Sequence, residues 1–587
     1  MLKIFRHMTK KQWALVLVST CFVVLQVWLD LRLPDYMNEI TLLVQTEGNA
    51  IGQVWLAGGK MLLCALGSLA SAICVGFFAA RIAASFSRNL RSELFDRVES
   101  FSMAEINQFS TASLITRSTN DVQQIQLVVA MGLQALIKAP IMATWAIIKI
   151  SNKNWQWTTV TAVAVAVMLV LISMIVLFAI PRFKRIQVLT DNINRVTREN
   201  LTGVRVVRAY NAEKYQEAKF DKANKALTDN NLTAHRVMAI MNPGMQSIMS
   251  GMSLAIYWIG AFLINAAALQ EKAILFSDMV VFMSYSVQVV MSFMMLTLIF
   301  IMMPRAAVSA RRIIEVIDTK TSVVGGEKVE GQRGLKGEVE FRNVSFRYPD
   351  AQEAVLENVS FTAHAGETVA FIGSTGSGKS TLINLIPRFY DATEGEILVD
   401  GVDVRQYDLK ALRNKLGYVS QRAVMFSGTV LSNVTYGDNG KPLPSEQQVE
   451  RAIDIAQARE FVDKMPARLD APISQGGTNV SGGQKQRLSI ARAICRDPEI
   501  YIFDDSFSAL DYKTDRELRH ALKREMGDAT CLIVAQRIGT IRDADRIVVL
   551  HEGKLVGQGT HDQLMRDCEV YREIAFSQLS EEELQNA

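Results

Sequence analysis

The run Val369-Ala-Phe-Ile-Gly-Ser-Thr-Gly-Ser-Gly-Lys-Ser380 decides the fold of the second half of this 587-residue chain. Its apolar start predicts a buried strand, the following Thr381–Arg388 predicts a helix, and the GxxxxGK[ST] pattern between them predicts a phosphate-binding loop. Glycines let backbone N–H groups turn inward around phosphate oxygens, at a helix N-terminus whose dipole favours anions. The loop therefore predicts binding of a nucleoside triphosphate.

Within this loop, Lys379 is placed to reach the β- and γ-phosphates, and the Ser380 hydroxyl is placed to ligate Mg²⁺. The candidate nucleotide-binding residues of the loop are Gly373, Ser374, Thr375, Gly376, Ser377, Gly378, Lys379, Ser380 and Thr381.

Two further motifs follow towards the C-terminus. The apolar strand pattern Ile500–Phe503 ends in Asp504-Asp505, and a carboxylate at such a strand end suits a Mg²⁺ ion held through water. Before it, Val480-Ser-Gly-Gly-Gln484 precedes a helical pattern and resembles a second anion site built from backbone amides and a hydroxyl. Its place about 20 residues before the aspartate pair makes the motif specific.

The N-terminal half has a different composition. Hydrophobic residues make up 49% of the chain, charged residues 21%, and the mean hydropathy is +0.14, against about 25% charge in average soluble proteins. The apolar residues concentrate before residue 310 in six segments, each long enough to cross a bilayer with about 20 residues. The predicted spans are Trp13–Leu33, Val54–Ala84, Ile125–Ile150, Thr158–Ile180, Val237–Leu269 and Met279–Met303.

Charge asymmetry between the connecting segments predicts the orientation. The segments after spans 2 and 4, about 83–124 and 182–236, are long and rich in Lys and Arg, whereas the others are short and poor in both. By the positive-inside tendency, the N-terminus, both long loops and the soluble half are predicted to be cytoplasmic. Each long loop is helical with one turn-like interruption, near Ser102–Phe109 and Ala209–Tyr215, which predicts either docking points for a cytoplasmic domain or solvated hairpins without a partner.

Polar residues inside the spans have two interpretations. Lys60 and Lys138 are candidates for lining a cavity, because intramembrane charge usually faces a cavity or a partner, whereas Asp30, Arg32 and Lys149 lie near span ends and are expected to pair at the interface. Five methionines on one helix face fit either a promiscuous binding surface or helix packing. They are Met238, Met241, Met245, Met249 and Met252.

Other function classes are disfavoured by composition. A net charge of +4 on 63 basic and 59 acidic residues is too balanced to indicate nucleic-acid binding. The six cysteines form no CxxC pair, so they are expected to be small buried hydrophobes rather than metal or redox sites.

Taken in order, the phosphate loop, VSGGQ, the acidic strand end and Ser508-Ala-Leu-Asp511 resemble an ATP-binding-cassette (ABC) transporter. Six spans fused ahead of one cassette resemble an exporter-type half-transporter, and Glu199–Glu213 resembles the second cytoplasmic loop of that family. The resemblance implies an all-α six-helix transmembrane domain followed by an α/β P-loop nucleotide-binding domain. The predicted bounds are 1–317 for the transmembrane domain, 318–337 for a linker and 338–587 for the cassette.

The resemblance also implies roles for individual residues. Tyr348 matches the aromatic residue that stacks on adenine, Gln421 matches the glutamine that senses Mg²⁺, and Asp511 matches the aspartate that communicates between cassettes. In this family ATP lies between the phosphate loop of one cassette and the signature motif of another, here Ser481, Gly482, Gly483 and Gln484. A dimer with a second half-transporter chain is therefore expected, with ATP and Mg²⁺ as cofactors and Ser380, Gln421 and Asp504 as the metal site.

Two positions depart from the family pattern. Asp505 stands where the general-base glutamate is expected, and Gln536 stands where the switch histidine is expected. A base shortened by one methylene should sit about 1 Å from its proper place, a displacement that can cost about 10²-fold in rate, and glutamine cannot carry the charge of an imidazolium. With VSGGQ retained, this combination resembles the degenerate subunit of a bacterial heterodimeric exporter; the alternative is a slow homodimer.

The function implied is ATP-driven export of small hydrophobic or amphipathic compounds, with multidrug efflux as the leading expectation. A lipid flippase of the same fold and a nucleotide-gated channel or regulator are the competing expectations. The resemblance places the chain as a multi-pass protein of a bacterial plasma membrane, with the lipid bilayer and a second chain as partners and no nucleic acid.

Overall fold

A computed structural model describes residues 2–45, 51–151, 153–525 and 527–578. The chain divides into two compact units, the first formed by Met1–Arg97 with Ala112–Asp318 and the second by Val98–Thr111 with Thr319–Ala587. The domain bounds at 317 and 337 stay predictions. The compact units divide the chain differently in two respects: the tip of the first long loop, Val98–Thr111, belongs to the second unit, and so do the predicted linker residues from Thr319 onward.

All regular secondary structure among the described residues of the N-terminal half is helical. A 3₁₀ helix at Leu2–His7 comes first, and a π-helical turn at Arg117–Asp121 joins the short helix Thr111–Thr116 to the long helix Val122–Ser151. The α-helices are α1 (Lys10–Gln45), α2 (Ile51–Glu99), α3 (Met103–Phe109), α4 (Thr111–Thr116), α5 (Val122–Ser151), α6 (Trp155–Thr202), α7 (Val204–Ala209), α8 (Glu213–Ala239), α9 (Met241–Ala266) and α10 (Leu269–Asp318).

Six helical stretches of the described residues are long and apolar enough to cross a membrane, as the sequence predicted. They are Lys10–Val44, Ile51–Glu99, Thr111–Ser151, Trp155–Thr202, Glu213–Ala266 and Glu271–Leu296. Several continue well beyond the predicted spans. Helix α1 runs on past Leu33 because Pro34 is accommodated inside it; proline removes only one backbone hydrogen bond, and transmembrane helices tolerate it.

The membrane helices bury one face and expose another that is equally apolar. On α2, Leu62, Leu63 and Leu66 are 61%, 70% and 53% exposed, whereas Trp157 and Phe282 are fully buried in the core shared by the helices. Exposed leucines in such numbers are unfavourable in water and natural in lipid.

Most of the charged residues named for the spans are paired. Lys138 Nζ lies 3.2 Å from Asp30, which also accepts a hydrogen bond from Ser68. Lys149 donates to Asp35 at 2.7 Å, and the buried Tyr285 hydroxyl donates to the same carboxylate at 2.6 Å. Pairing removes much of the cost of charge in a low dielectric.

Of the two lysines suggested for a cavity, Lys138 is bound to Asp30 and Lys60 is exposed. A cavity of about 750 Å³ does open in this unit, and it is bordered by the ion pairs Lys149–Asp35 and Lys153–Asp278. The charge at this cavity is therefore balanced.

The methionine stripe contributes to helix packing. Met245 and Met252 are 5% and 3% exposed and belong to the helical core, against which Met241 and Met249 pack. Met238 lies on α8, on the other side of the junction at Ile240. Packing accounts for the buried members of the stripe.

The second unit combines strands with short helices. Its strands are β1 (Val339–Phe346), β2 (Leu356–Ala363), β3 (Thr368–Gly373), β4 (Glu394–Val399), β5 (Val402–Asp403), β6 (Leu416–Val419), β7 (Gly428–Thr429), β8 (Pro472–Ile473), β9 (Ile500–Asp504), β10 (Thr530–Val534), β11 (Arg546–His551) and β12 (Lys554–Gly559). Its further helices are α11 (Lys379–Leu385), α12 (Leu409–Asn414), α13 (Val430–Val434), α14 (Glu446–Ile455), α15 (Arg459–Asp463), α16 (Gly482–Cys495), α17 (Tyr512–Glu525), α18 (Ile538–Ile541), α19 (His561–Asp567) and α20 (Glu569–Gln578).

Two larger sheets form the layers of this unit. The six-stranded sheet has the order β12-β11-β3-β10-β9-β6, with only β12 antiparallel to its neighbour, and the four-stranded antiparallel sheet has the order β2-β1-β4-β5. One core lies between the two sheets around α11, and a second lies on the other face of the six-stranded sheet under α14, α16 and α17. Strand β3 contributes to both cores because its side chains alternate between the faces.

The tip of the first long loop is held by hydrogen bonds within the second unit. Ser102 caps α3 in a capping box with Glu105, whose carboxylate accepts from the Ser102 N–H at 2.8 Å and from the Ser322 N–H at 3.1 Å. Burial acts to raise the pKa of Glu105, but these hydrogen bonds outweigh it and hold the pKa below its usual value. The Met103 N–H also donates to the Phe389 carbonyl at 3.3 Å. Of the two interpretations given above, docking and a solvated hairpin, these contacts agree with docking for the first loop tip.

Candidate nucleotide-binding site

The predicted site residues converge because four neighbouring strands end at the same edge. Strands β3, β10, β9 and β6 run parallel and adjacent, and ligands of such sheets bind beyond the carboxyl ends of the strands. The phosphate loop follows β3, Gln536 follows β10, Asp504 and Asp505 lie at the end of β9, and Gln421 follows β6.

The phosphate loop requires glycine for two different reasons. Gly376 has a φ of +87° and open space around it, so conformation alone selects glycine there. Gly378 has a φ of +93°, and a Cβ there would lie 2.7 Å from the Leu356 side chain. The two glycines therefore let the loop turn tightly into α11, because neither position carries a side chain that would block the turn.

Lys379 is folded back onto this loop. Its Nζ donates to the carbonyls of Gly373 and Ser374, both at 2.8 Å, and lies 3.2 Å from the Ser377 hydroxyl. The residue is 9% exposed, and burial lowers the pKa of its amine. An amine held by neutral oxygens in a buried loop gains a stronger, charge-assisted partner when phosphate enters.

Ser380 and Asp504 form the candidate metal site. The Ser380 hydroxyl donates to Asp504 Oδ1 at 2.7 Å, and burial raises the pKa of Asp504. A hydroxyl and a carboxylate oxygen side by side are the hard oxygen donors that Mg²⁺ prefers, so these residues fit the ion. Gln421, the third residue predicted for the metal, donates to Asp505 at 3.3 Å.

Asp505 is held by two glutamine amides. Its Oδ2 accepts from Gln536 Nε2 at 2.7 Å and from Gln421 Nε2 at 3.3 Å. Its backbone has a φ of +47°, a region that aspartate visits more readily than most residues. Burial raises the pKa of Asp505, and hydrogen bonds from Gln421, Ser508 and Gln536 offset part of that rise.

Tyr348 lies beside the phosphate loop, two residues beyond the end of β1. Its hydroxyl is 3.0 Å from the Thr381 hydroxyl, and its ring meets Phe346 and Tyr390 edge-on at 4.9 and 5.2 Å. The ring is half-buried, which leaves a face for a base at the position that the resemblance implies.

The signature motif lies at the start of α16. Ser481 caps this helix, accepting from the Gln484 N–H at 3.3 Å, while Gln484 Oε1 accepts from the Ser481 N–H at 2.8 Å. Among the described residues, the side-chain hydrogen bonds of Ser481, Gly482, Gly483 and Gln484 stay within the motif and do not reach the phosphate loop. No side-chain hydrogen bond of the described residues therefore joins the two halves of the predicted ATP sandwich.

Asp511 caps the start of α17. Its carboxylate accepts from the Thr514 N–H at 3.0 Å and from the Thr514 hydroxyl at 2.7 Å. These hydrogen bonds lower the pKa of Asp511 below its usual value. The side chain is exposed, so its carboxylate oxygens can accept further hydrogen bonds from a second chain.

Sequence reasoning missed Tyr390. Its ring contacts Tyr348, and its hydroxyl accepts from Asn107 Nδ2 of α3 at 2.9 Å; burial raises the pKa of this hydroxyl. Tyr390 therefore joins the docked loop tip to the candidate adenine contact. A single tyrosine after a helix matches no sequence motif, so its contacts with Asn107 and Tyr348 become visible only in the fold.

Comparisons with known proteins assign the family. The family model described as ABC transporter matches residues 356–508, and the model described as ABC transporter transmembrane region matches residues 12–293. An uncharacterized ABC transporter ATP-binding protein of Mycobacterium bovis is 41% identical over 521 residues, covering 89% of this chain and 87% of that protein.

The chain belongs to the ABC transporter family. Another relative, the ATP-dependent lipid A-core flippase of Pseudomonas aeruginosa, is 32% identical and covers 86% of this chain and 82% of its own length. The solved structure of a bacterial Atm1-family ABC exporter with ATP bound has a TM-score of 0.80 at 26% identity, covering 97% of this chain and 98% of that one.

These findings confirm the coarser predictions. The ABC transporter is a multi-pass membrane protein of exporter fold, with six candidate membrane helices followed by a nucleotide-binding domain that couples ATP hydrolysis to transport. The exporter fold and the transporter family models support export as the function of this chain.

Replacing Lys379 tests the phosphate loop of this ABC exporter. We expect Lys379→Met to weaken ATP binding about thirtyfold or more, because removing one partner of a buried charge-assisted contact typically costs at least about 2 kcal/mol. Equilibrium binding of labelled ATP to the full chain in lipid nanodiscs measures the change. Lys410→Met, which removes a surface lysine paired with Asp438, is the matched control; equal affinities in the two variants would contradict the assignment.

Proposed function

We propose that this ABC exporter works as one half of a heterodimer that exports hydrophobic or amphipathic compounds, and that its own nucleotide site binds ATP but turns it over slowly. The observation that carries the proposal is the pairing of Asp505 with the amide of Gln536 at 2.7 Å. Both residues depart from the expected glutamate and histidine, and the departures meet in one hydrogen bond.

This contact impairs hydrolysis through placement. Burial raises the pKa of Asp505, so burial does not weaken this carboxylate as a base. Its side chain, however, is one methylene shorter than glutamate, and one of its two oxygens is committed to Gln536 and Gln421. A base must lie within hydrogen-bond reach of the attacking water, and these amides compete with water for the carboxylate.

ATP binding is proposed to remain intact at the same edge. Lys379 can exchange its carbonyl partners for the β- and γ-phosphates, Tyr348 can stack on the base, and Ser380, Asp504 and Gln421 would hold Mg²⁺. The ion supplies charge neutralisation at the phosphate oxygens. With tight binding and slow turnover, ATP at this site would keep the two cassettes associated through many cycles of the partner site.

A second chain is needed to complete either site. Among the described residues, the side chains of Ser481 and Gln484 hydrogen-bond only within the signature motif. Its backbone N–H groups at the start of α16 are therefore available to the ATP of another cassette. We propose that Ser481, Gly482, Gly483 and Gln484 complete the competent site of the partner, with Asp511 communicating between the cassettes.

The tip of the second long loop also favours an assembly. Val206, Tyr210 and Tyr215 are 60%, 79% and 68% exposed, an apolar and aromatic cluster in a basic, water-facing segment. Clusters of this kind on soluble surfaces commonly mark interaction sites. A partner cassette is the occupant that the proposed heterodimer provides.

Substrate and orientation belong to the same proposal. Paired charges and apolar helices favour hydrophobic or amphipathic compounds over ions. The basic long loops favour a cytoplasmic N-terminus and a cytoplasmic cassette in a bacterial cell, by the positive-inside tendency. Lipid export is the second candidate, favoured by relatives that carry the name lipid A-core flippase.

Steady-state ATP hydrolysis tests the asymmetric site. We expect negligible turnover from this chain alone in nanodiscs despite ATP binding, because Asp505 is committed to Gln536, and recovery when a second cassette chain with glutamate and histidine is added. In the complex, replacing the partner's glutamate should abolish transport, whereas Asp505→Ala should have a milder effect. Turnover on the order of 1 per second by the chain alone, or equal loss from both substitutions, would favour the homodimer.

Restoring both departures tests the amide contact itself. We expect Asp505→Glu with Gln536→His to raise turnover at this site by about tenfold or more, because the longer carboxylate reaches water and the amide no longer competes for it. Either substitution alone should recover far less, since one impediment remains. ATP hydrolysis is measured in a complex whose partner site lacks its base.

The matched control for the double variant changes the same residue types at exposed positions, Asp528→Glu with Gln558→His. Full recovery from Asp505→Glu alone would show that side-chain length is the whole impairment and that Gln536 plays no part in it.

Transport assays distinguish the two substrate classes. We expect inside-out vesicles containing the complex to accumulate an amphipathic dye when ATP is added, because the apolar helices offer it a favourable environment. The complex without the partner's glutamate serves as the inactive control. ATP-dependent movement of labelled lipid between leaflets, without dye accumulation, would replace drug-like export by lipid export.

A further inference from the structure

The first residues of the chain form a segment that is anchored to α2. The 3₁₀ helix Leu2–His7 buries Ile4 completely, and Phe5 stacks on Phe86 with ring centroids 6.3 Å apart. His7 Nδ1 lies 2.9 Å from Glu93. A ring contact and a polar contact to one helix give the segment a defined position in the first unit.

Between this segment, α1, α5 and α10 lies a cavity of about 380 Å³ that we term the apolar groove. Its lining includes Phe5, Met8, Trp13, Gly132, Leu136 and Met303. Trp13 and Leu136 are 51% and 43% exposed, so the groove is open on one side. Its volume is within the range of small-ligand sites, about 300–1,000 Å³.

The chemistry of the lining excludes a water-filled pocket. All described lining residues are apolar, and a water molecule needs two to four polar partners to occupy such a site. Hydrocarbon needs none and gains from burial. The groove therefore suits an aliphatic chain.

The segment that borders the groove is strongly basic. Lys3, Arg6, Lys10 and Lys11 flank the groove residues Phe5, Met8 and Trp13 in sequence, and all four are exposed. No acidic residue precedes Asp30, and within the described part of the chain these four cations make no hydrogen bond or ion pair. Tryptophan and unpaired basic residues together mark the headgroup level of a membrane.

We propose that the apolar groove binds an anionic phospholipid, with one acyl chain between Phe5, Gly132 and Leu136 and the phosphate among the four basic side chains. The apolar lining favours an acyl chain, and the unpaired cations favour a negative headgroup over a zwitterionic one. On the proposed orientation, the lipid comes from the cytoplasmic leaflet. It is a resident ligand, so the proposal does not depend on which compound is transported.

Photolabelling of the full chain in phosphatidylcholine nanodiscs tests this site. The probes are phosphatidylglycerol and phosphatidylcholine, each carrying a diazirine on one acyl chain, and labelled peptides are mapped by mass spectrometry. We expect the peptides containing Met8–Val16 and Val128–Ile137 to be labelled at least fivefold more by the anionic probe, since each nearby basic residue favours an anionic surface by about fivefold. Equal labelling by both probes would overturn the proposal.

A groove-filling variant locates the acyl chain. A Cβ at Gly132 would meet only the Leu136 and Val128 side chains, at ordinary contact distances of 3.5 and 3.8 Å, so Gly132→Phe can direct its ring into the groove. We expect it to reduce labelling at least fivefold. Met131→Phe, at a 55% exposed position on the same helix that does not line the groove, should change nothing; unchanged labelling in Gly132→Phe would contradict the site.

A charge variant tests the contribution of the lipid headgroup separately from that of the acyl chain. It does not depend on whether Gly132→Phe folds. Replacing Lys3, Arg6, Lys10 and Lys11 by Gln should bring the ratio of anionic to zwitterionic labelling to about one. Replacing four other exposed cations of the same unit, Lys184, Arg185, Lys222 and Lys225, should preserve the wild-type ratio. A ratio of about one in both variants would overturn the lipid assignment. Displacement of the anionic probe by an amphipathic dye would also overturn it, and would make the groove part of a substrate path.

Discussion

Parallel pairing of β3, β10, β9 and β6 is the constraint on which the chemistry of this exporter depends. Parallel strands bring their carboxyl ends to one edge, so four segments that are far apart in sequence deliver the phosphate loop, Gln536, the aspartate pair and Gln421 to the same place. Both faces of the sheet are buried, which leaves this edge as the place where polar groups can remain available to a ligand.

That arrangement also explains why the two departures from the family pattern are in direct contact. Residues at the ends of adjacent strands are neighbours, and β9 and β10 are hydrogen-bonded throughout their length. Gln536, after β10, therefore meets Asp505, after β9, directly. A histidine in the same position would offer a ring nitrogen where glutamine offers an amide, and a glutamate would extend beyond it. The pair is thus better described as one altered contact than as two separate losses.

Sequence patterns predicted the elements that depend on local chemistry. The six spans follow from apolar length, and the loop before Lys379 follows from glycine spacing in a strand–helix context. Tyr390 and the Lys138–Asp30 pair were not predictable, because they depend on which distant segments pack together and neither carries a periodic signal. The methionine stripe shows the opposite limit: its helical spacing was clear, but spacing alone does not distinguish a ligand surface from the packing found for Met245 and Met252.

The contact missed by sequence suggests how the site and the loop tip influence each other. Thr381, Tyr348, Tyr390 and Asn107 form a continuous series of contacts from the phosphate loop to α3. A base stacked on Tyr348, as proposed, would restrict that ring and through it Tyr390, whose hydroxyl accepts from Asn107. Coupling of this kind requires two arrangements of the same contacts. Tyr390 is the residue at which two such arrangements would differ, because its ring contacts Tyr348 while its hydroxyl accepts from Asn107.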